Sequence, residues 1–140
     1  MVYHIVYFST ATKHFSEEDL THLLVVSNRN NKGLGVTGIL LFIEGCFLQV
    51  LEGEKEVVKE VFEKIKRDVR HDDVITLFKG KKEDRNFLNW SMGFKNLPFI
   101  EYKEQLGFED ISDDAFLNNV IKKADPKIIR TLEIFYNGGL

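Results

Sequence analysis

"GCFLQVLEGEKEVVKEVFEKI" (residues 45–65) carries the two periodicities that decide the fold. In its first half Phe47, Gln49 and Leu51 share one face of an extended strand and Cys46, Leu48 and Val50 the other, so neither face suits water. In its second half Val57, Val58, Val61, Phe62 and Ile65 recur at three- and four-residue spacing, the stripe of an amphipathic helix that Gly53 opens. Gln49 is the misfit. Its amide brings two donors and an acceptor to a place where an unpaired polar group costs about 1–3 kcal/mol.

Working outward, "VYHIVYFS" (2–9) reads as a first strand with Tyr3, Ile5, Tyr7 and Ser9 on one face and Val6 and Phe8 on the other. Ser16, with Asp19 three residues on, caps a helix whose stripe is Leu20, Leu23, Leu24 and Ser27 and which ends in the polar "NRNNKGLG" (28–35). "VTGILLFI" (36–43) pairs with the opening stretch as a hairpin through Glu44 and Gly45. "VITLFKG" (74–80) and "NWSMGFK" (89–95) are further strands, giving the order βαββαββ. Two helices on one face of a mainly antiparallel sheet make a ferredoxin-like α+β domain over residues 1–96. The opposite face needs a cover, and residues 97–140 can supply it as a two-helix extension packed on the same domain. "SDDAFLNNVIKKA" (112–124) has acidic and basic ends that match a helix dipole, and Pro126 suits the first turn of a final helix that Gly138 can stop.

At 140 residues and 44% hydrophobic, the chain can bury one core without a disulfide or structural metal. A net charge of −3 gives no electrostatic footprint for nucleic acid, and no apolar run approaches the ~20 residues of a membrane span. The single cysteine, Cys46, excludes an internal disulfide and a multi-cysteine zinc site, and His4, His14, His22 and His71 lack metal-ligand spacing, so no metal is expected. A lone thiol and an N-terminus that opens directly on a strand lead to the expectation of a cytoplasmic protein.

Taken singly, Tyr7, Gln49, Trp90 and Met92 read as core side chains on three strands. Asn30 and Asn31 could cap or turn the end of the first helix, and Asp68, Arg70 and His71 could be a solvated loop. The glycine-rich phosphate loops and the nucleophile elbow are absent. In order and spacing, however, "YFS" (7–9), "SNRNNKGLGVTGILL" (27–41), "GCFLQVLEG" (45–53), "RDVRH" (67–71) and "FLNWSMG" (87–93) together resemble the BLUF domain, the blue-light sensor that uses flavin.

The resemblance implies a flavin ring held between the two helices on the sheet. Tyr7 would give an electron and proton to the excited ring, and Gln49 would bridge Tyr7 and the flavin N5 and O4 edge, changing tautomer or orientation with light. An amide suits that task because it offers a donor and an acceptor and can exchange them at almost constant volume. By the same resemblance Asn31 pairs with the carbonyl and imide edge, with Asn30 beside it, and Ser9, Lys64, Asp68, Arg70 and His71 fall at cofactor-lining positions. Trp90 and Met92 match the strand that changes contact near the glutamine. Lys64 departs from the arginine or histidine common at its position and lacks their planar groups. The implied cofactor is FAD, with FMN or riboflavin able to fit the ring pocket. The implied protein is a short, non-enzymatic photoreceptor, a homo-oligomer acting on a downstream signalling protein. Two rivals share the topology. An acylphosphatase-like hydrolase needs an arginine in the loop after the first strand, which "STATKHFS" (9–16) lacks, and an RNA-binding module needs a basic surface.

Overall fold

The hairpin sets the architecture. The computed structural model describes residues 1–12, 17–43, 45–87, 90–94, 108–110 and 125–136. β2 (Thr37–Ile43) and β3 (Cys46–Gly53) pair antiparallel down to Ile43 opposite Cys46, and Gly45 turns the chain at φ 79°, a conformation that favours glycine. β1 (Val2–Ala11) lies against the other edge of β3, and β4 (His71–Lys82) lies against β1, both antiparallel. The order β4-β1-β3-β2 is that of a ferredoxin-like α+β sheet, with α1 (Glu17–Leu34) and α2 (Lys55–Arg67) as the crossovers. β5 (Trp90–Phe94) then adds parallel to β2.

Alternation divides the strands as expected. Tyr3, Ile5, Tyr7 and Leu51 meet Val58 and Phe62 of α2 on one face. Val6, Ile39, Leu41, Ile43, Leu48 and Val50 meet Phe87 and α3 (Pro126–Tyr136) on the other. The cover expected from the tail is thus present in part: Ile128, Leu132 and Phe135 of α3 are at most 4% exposed. Pro126 occupies the first helical position, and the Asp125 carboxylate accepts the Lys127 amide at 2.9 Å as an N-cap. The helix expected over 112–124, the Ser16 cap and the Gly138 stop lie outside the described residues.

Several boundaries differ from the sequence reading, each for a local reason. Gly53 closes β3 rather than opening a helix; Glu54 is the N-cap of α2, and a Cβ on Gly53 would stand 3.2 Å from the Gly35 carbonyl. α1 runs on through Asn30 and Asn31 to Leu34, where Gly35 at φ 70° ends it. The Val36 amide there donates to the Asn31 carbonyl at 2.9 Å and the Gly35 amide to Lys32, a Schellman closure made by backbone alone. β4 starts at His71, three residues before the expected strand, because two register shifts against β1 let the chain keep pairing past Asp73 at φ 48°. Finally, β6 (Phe108–Asp110) adds a short parallel strand beside β5, in a stretch to which the sequence reading assigns no element. Three residues are too few to show alternation, so pairing rather than pattern defines it.

Gly38 sits where no side chain fits. Its φ is 148°, and a Cβ there would sit 1.8 Å from the Val50 carbonyl oxygen. No helix among the described residues is long and apolar enough to cross a membrane.

Candidate functional site

Between α1 and α2, above the sheet, lies a cavity of about 540 Å3, within the range of small-molecule sites. Its floor is a register row. Tyr7 lies opposite Gln49, Gln49 opposite Leu40, and Leu40 opposite Met92, so one line of residues crosses β1, β3, β2 and β5. Trp90 lies opposite Gly38, two residues along the same strand, which places both Trp90 and Met92 at positions of the cavity face.

The walls explain why the helical stripes looked like core. Leu23, Val26, Ser27, Asn30 and Asn31 come from α1, and Val61, Lys64 and Ile65 from α2. Val58 and Phe62 are buried on the sheet, whereas Val61 and Ile65 are half-buried and turn to the cavity. The apolar stripe therefore serves two surfaces, the core and a slot with greasy walls.

The polar groups converge on the floor. The buried Tyr7 hydroxyl donates a hydrogen bond to Gln49 Oε1. Burial pushes the Tyr7 phenol far above its ordinary value, with the Asp68 carboxylate adding in the same direction, so it is a protonated donor throughout the physiological range. With Oε1 engaged by Tyr7, the Gln49 NH2 has no hydrogen-bond partner among the described residues, although Gln49 is only 4% exposed. Asn31 repeats the pattern: it is 5% exposed and lines the cavity, and its side chain makes no hydrogen bond among the described residues. Two buried amides on the floor and wall of one cavity, with hydrogen-bonding capacity that no described residue takes up, suit a planar ligand with polar edges.

One end of the cavity carries a charged cluster. Arg70 clamps Asp68 through Nε at 3.0 and 3.1 Å and Nη2 at 2.6 Å. That bonding holds the Asp68 carboxyl below the usual range, with desolvation opposing, and raises the guanidinium. His71 forms a hydrogen bond with the Ser9 hydroxyl at 2.8 Å and packs on Phe47 at 4.8 Å between ring centres. Desolvation lowers the His71 pKa, opposed by Asp68 and assisted by Arg70.

The structure thus brings Tyr7, Gln49, Asn30, Asn31, Lys64, Asp68, Arg70 and His71 to one cavity. Ser9, fully buried, stands behind His71 rather than on the wall. Lys64 is at the rim, exposed and 3.8 Å from Glu60 Oε1. Arg29 and Leu40 also line the cavity and escaped the sequence reading. Leu40 was hidden inside the apolar run of β2, and Arg29 was legible only as part of a polar helix end.

The family described as "Sensors of blue-light using FAD" (BLUF) matches residues 2–93. The chain belongs to the BLUF family. The photoactivated adenylate cyclase subunit beta of Euglena longa is 35% identical over 89 residues, 63% of this chain but only 10% of that protein. The chain therefore spans about a tenth of the curated relatives it matches. Among solved structures, Klebsiella pneumoniae BlrP1 with FMN and cyclic diGMP superposes with a TM-score of 0.75 at 30% identity, over 99% of this chain and 35% of that one. The dark-state structure of BlrB, a BLUF protein, gives a TM-score of 0.64 at 27% identity, over 86% of this chain and 94% of that one. The ferredoxin-like fold is thus that of a BLUF domain, a family of blue-light sensors that use flavin.

Proposed function

We propose that this protein is a blue-light photoreceptor whose signal starts at the Tyr7–Gln49 hydrogen bond. The observation that carries the reading is the arrangement of that pair: the phenol donates to Gln49 Oε1, and the same side chain lines the cavity with its NH2 unpaired among the described residues. Bound flavin supplies a chromophore that absorbs blue light and, once excited, accepts an electron.

Tyr7 is the donor of that electron and of its phenolic proton. Burial keeps the proton in place in the dark, so only oxidation of the ring makes the hydroxyl acidic enough to release it. Gln49 then exchanges its donor and acceptor edges by turning or by tautomerising, which alters the hydrogen bonds offered to the ring without changing side-chain volume. Asn31 and Asn30 orient the polar edge of the ring, and Asp68, Arg70 and His71 line its pyrimidine side. Ser9 holds the His71 imidazole in place. Lys64 is a rim contact.

FAD is the expected flavin, with FMN or riboflavin able to occupy the same ring site. The chain carries no enzymatic activity in this reading. Trp90 and Met92, at cavity-face positions beside Gly38 and Leu40, pass the change towards residues 97–140. A light-dependent contact with a second copy of the chain or with a downstream signalling protein is the output, in a cytoplasmic setting. The test is an absorption spectrum of the purified protein before and after blue light. A yellow protein with one flavin per chain and a small, reversible red shift is expected, and a colourless protein that no flavin reconstitutes would overturn the reading.

A further inference from the structure

Glu52 lies three residues beyond Gln49 on β3 and therefore on the opposite face of the sheet, where it is fully buried. Its carboxylate holds the connection between β4 and β5. Oε1 accepts the amides of Asn86 at 2.9 Å and Phe87 at 2.8 Å, and Oε2 stands 3.2 Å from Lys82 Nζ. Asn86 continues the chain, because its Oδ1 accepts the Asp125 amide at 2.9 Å and Asp125 caps α3. The same connection reaches back to the other face. Arg85 Nη1 donates to the Gly35 carbonyl at 3.0 Å, to Thr37 Oγ1 at 2.8 Å and to the Glu52 carbonyl at 3.2 Å. Gly35 is the residue that ends α1, four positions after Asn31. Residues 82–87 thus touch the end of the cavity-lining helix, the strand that carries Gln49 and the cap of α3.

A buried carboxylate without partners is costly, and here the partners come from the connection itself. Moving Glu52, or the strand that carries it, moves two backbone amides and through Asn86 the start of α3. The Phe87 side chain reinforces this, since it is buried in the same cluster as Ile128, Leu132 and Phe135. We propose that Glu52 is a positioning residue: through Asn86 and Asp125 it makes the seating of the first turn of α3 follow strand β3, coupling the flavin face to the tail. The proposal rests on the reading of residues 97–140 as the output element, and the experiment separates the two.

Hydrogen exchange is measured in darkness and under blue light on the flavin-loaded full chain, on Asn86→Ala and on Glu52→Gln. Asn86→Ala removes the acceptor of the Asp125 amide, together with a buried Nδ2 group that has no hydrogen-bond partner among the described residues, and leaves the Glu52 bonds to backbone intact. In darkness it should speed exchange in the first turns of α3 by roughly fivefold to tenfold, the size of one lost hydrogen bond. Exchange in β1 and β3 and the flavin red shift should stay as in the parent, while the light-minus-dark difference across α3 shrinks. Glu52→Gln should act in the same direction and more strongly, because an amide NH2 then faces the Lys82 ammonium. Unchanged α3 exchange in Asn86→Ala would overturn the proposal, as would a rise spread equally over β1, β3 and α3. If Asn86→Ala loosens α3 in darkness but the parent shows no light-dependent change there, Glu52 stands as the positioning residue and the output reading fails.

Discussion

The two faces of the sheet are built by the same strands and end in opposite states. On the α3 face, Ile39, Leu41, Leu48 and Val50 are all completely buried against α3 and Phe87. On the helix face, Tyr7, Gln49 and Leu40 are also shielded from bulk water but floor a cavity, and two buried amides keep hydrogen-bonding capacity that no described residue uses. A strand that alternates strictly can therefore store stability on one side and chemistry on the other, because its successive side chains never share an environment. The division predicts that substitutions on the two faces fail differently.

The largest effects should come from the cavity floor and be nearly all-or-none in the optical signal. Tyr7→Phe and Gln49→Leu should retain flavin but lose the stable red-shifted state, measured as the difference spectrum after blue illumination. Their effect on folding should be modest, about 1–3 kcal/mol, since each leaves at most one buried polar group without its partner. A normal photocycle in either variant would remove its residue from the switch. On the opposite face the pattern inverts. Leu132→Ala deletes a side chain that is 1% exposed and should cost about 2–5 kcal/mol in a chemical denaturation series, with the red shift intact in the folded fraction.

The sequence shows the packed face more fully than the cavity face. Alternation in residues 2–9 and 46–53 and the stripe at Val57, Val58, Val61, Phe62 and Ile65 specify strands, helix and pairing, because burial writes itself into period two and period 3.6. The same signal cannot tell core from cavity: Val58 and Val61 look alike and both pack on the core, yet Val61 also lines the slot. Gln49 was legible because polarity breaks its pattern. Leu40 does the same job of flooring the cavity and breaks nothing, so it stayed hidden. Glu52 was missed for another reason: its partners are the amides of Asn86 and Phe87, more than 30 residues away, and long-range backbone bonds leave no local mark. The strand at Phe108–Asp110 and the early start of β4 at His71 were illegible for the same cause, since pairing to β5 and β1 defines them.

Removing the flavin should sharpen the contrast at intermediate size. A ligand at about 100 times its Kd adds about 2.7 kcal/mol to the folded state, so flavin-free protein should melt lower by a corresponding margin. Exchange should rise first in α1 and α2, which face each other across the cavity, and last in β3 and α3. A uniform rise over both faces would mean that the ligand cavity and the packed face are one cooperative unit.

The smallest expected effect is on pH, and each face contributes one imidazole. His4 donates through Nδ1 to the Gly80 carbonyl at 2.9 Å on the α3 side; desolvation lowers its pKa, with the Gly80 bond opposing. His71 on the cavity side is lowered by desolvation too. A lowered folded-state pKa means that the unfolded chain binds more protons once the pH falls below the ordinary imidazole value of about 6.5. Stability should therefore be flat at higher pH and decline as acid takes the sample through that value towards the folded-state pKa values. His4 is partly open to solvent, so screening reduces its share. Melting temperatures between about pH 5 and pH 8 check the sign, and the variants assign it. His4→Gln should flatten part of the decline and leave the flavin spectrum alone. His71→Gln should flatten the rest and also shift the dark absorption maximum, because His71 lines the cavity and His4 does not. A spectral shift in His4→Gln as large as that in His71→Gln would show that the two faces are not chemically separate.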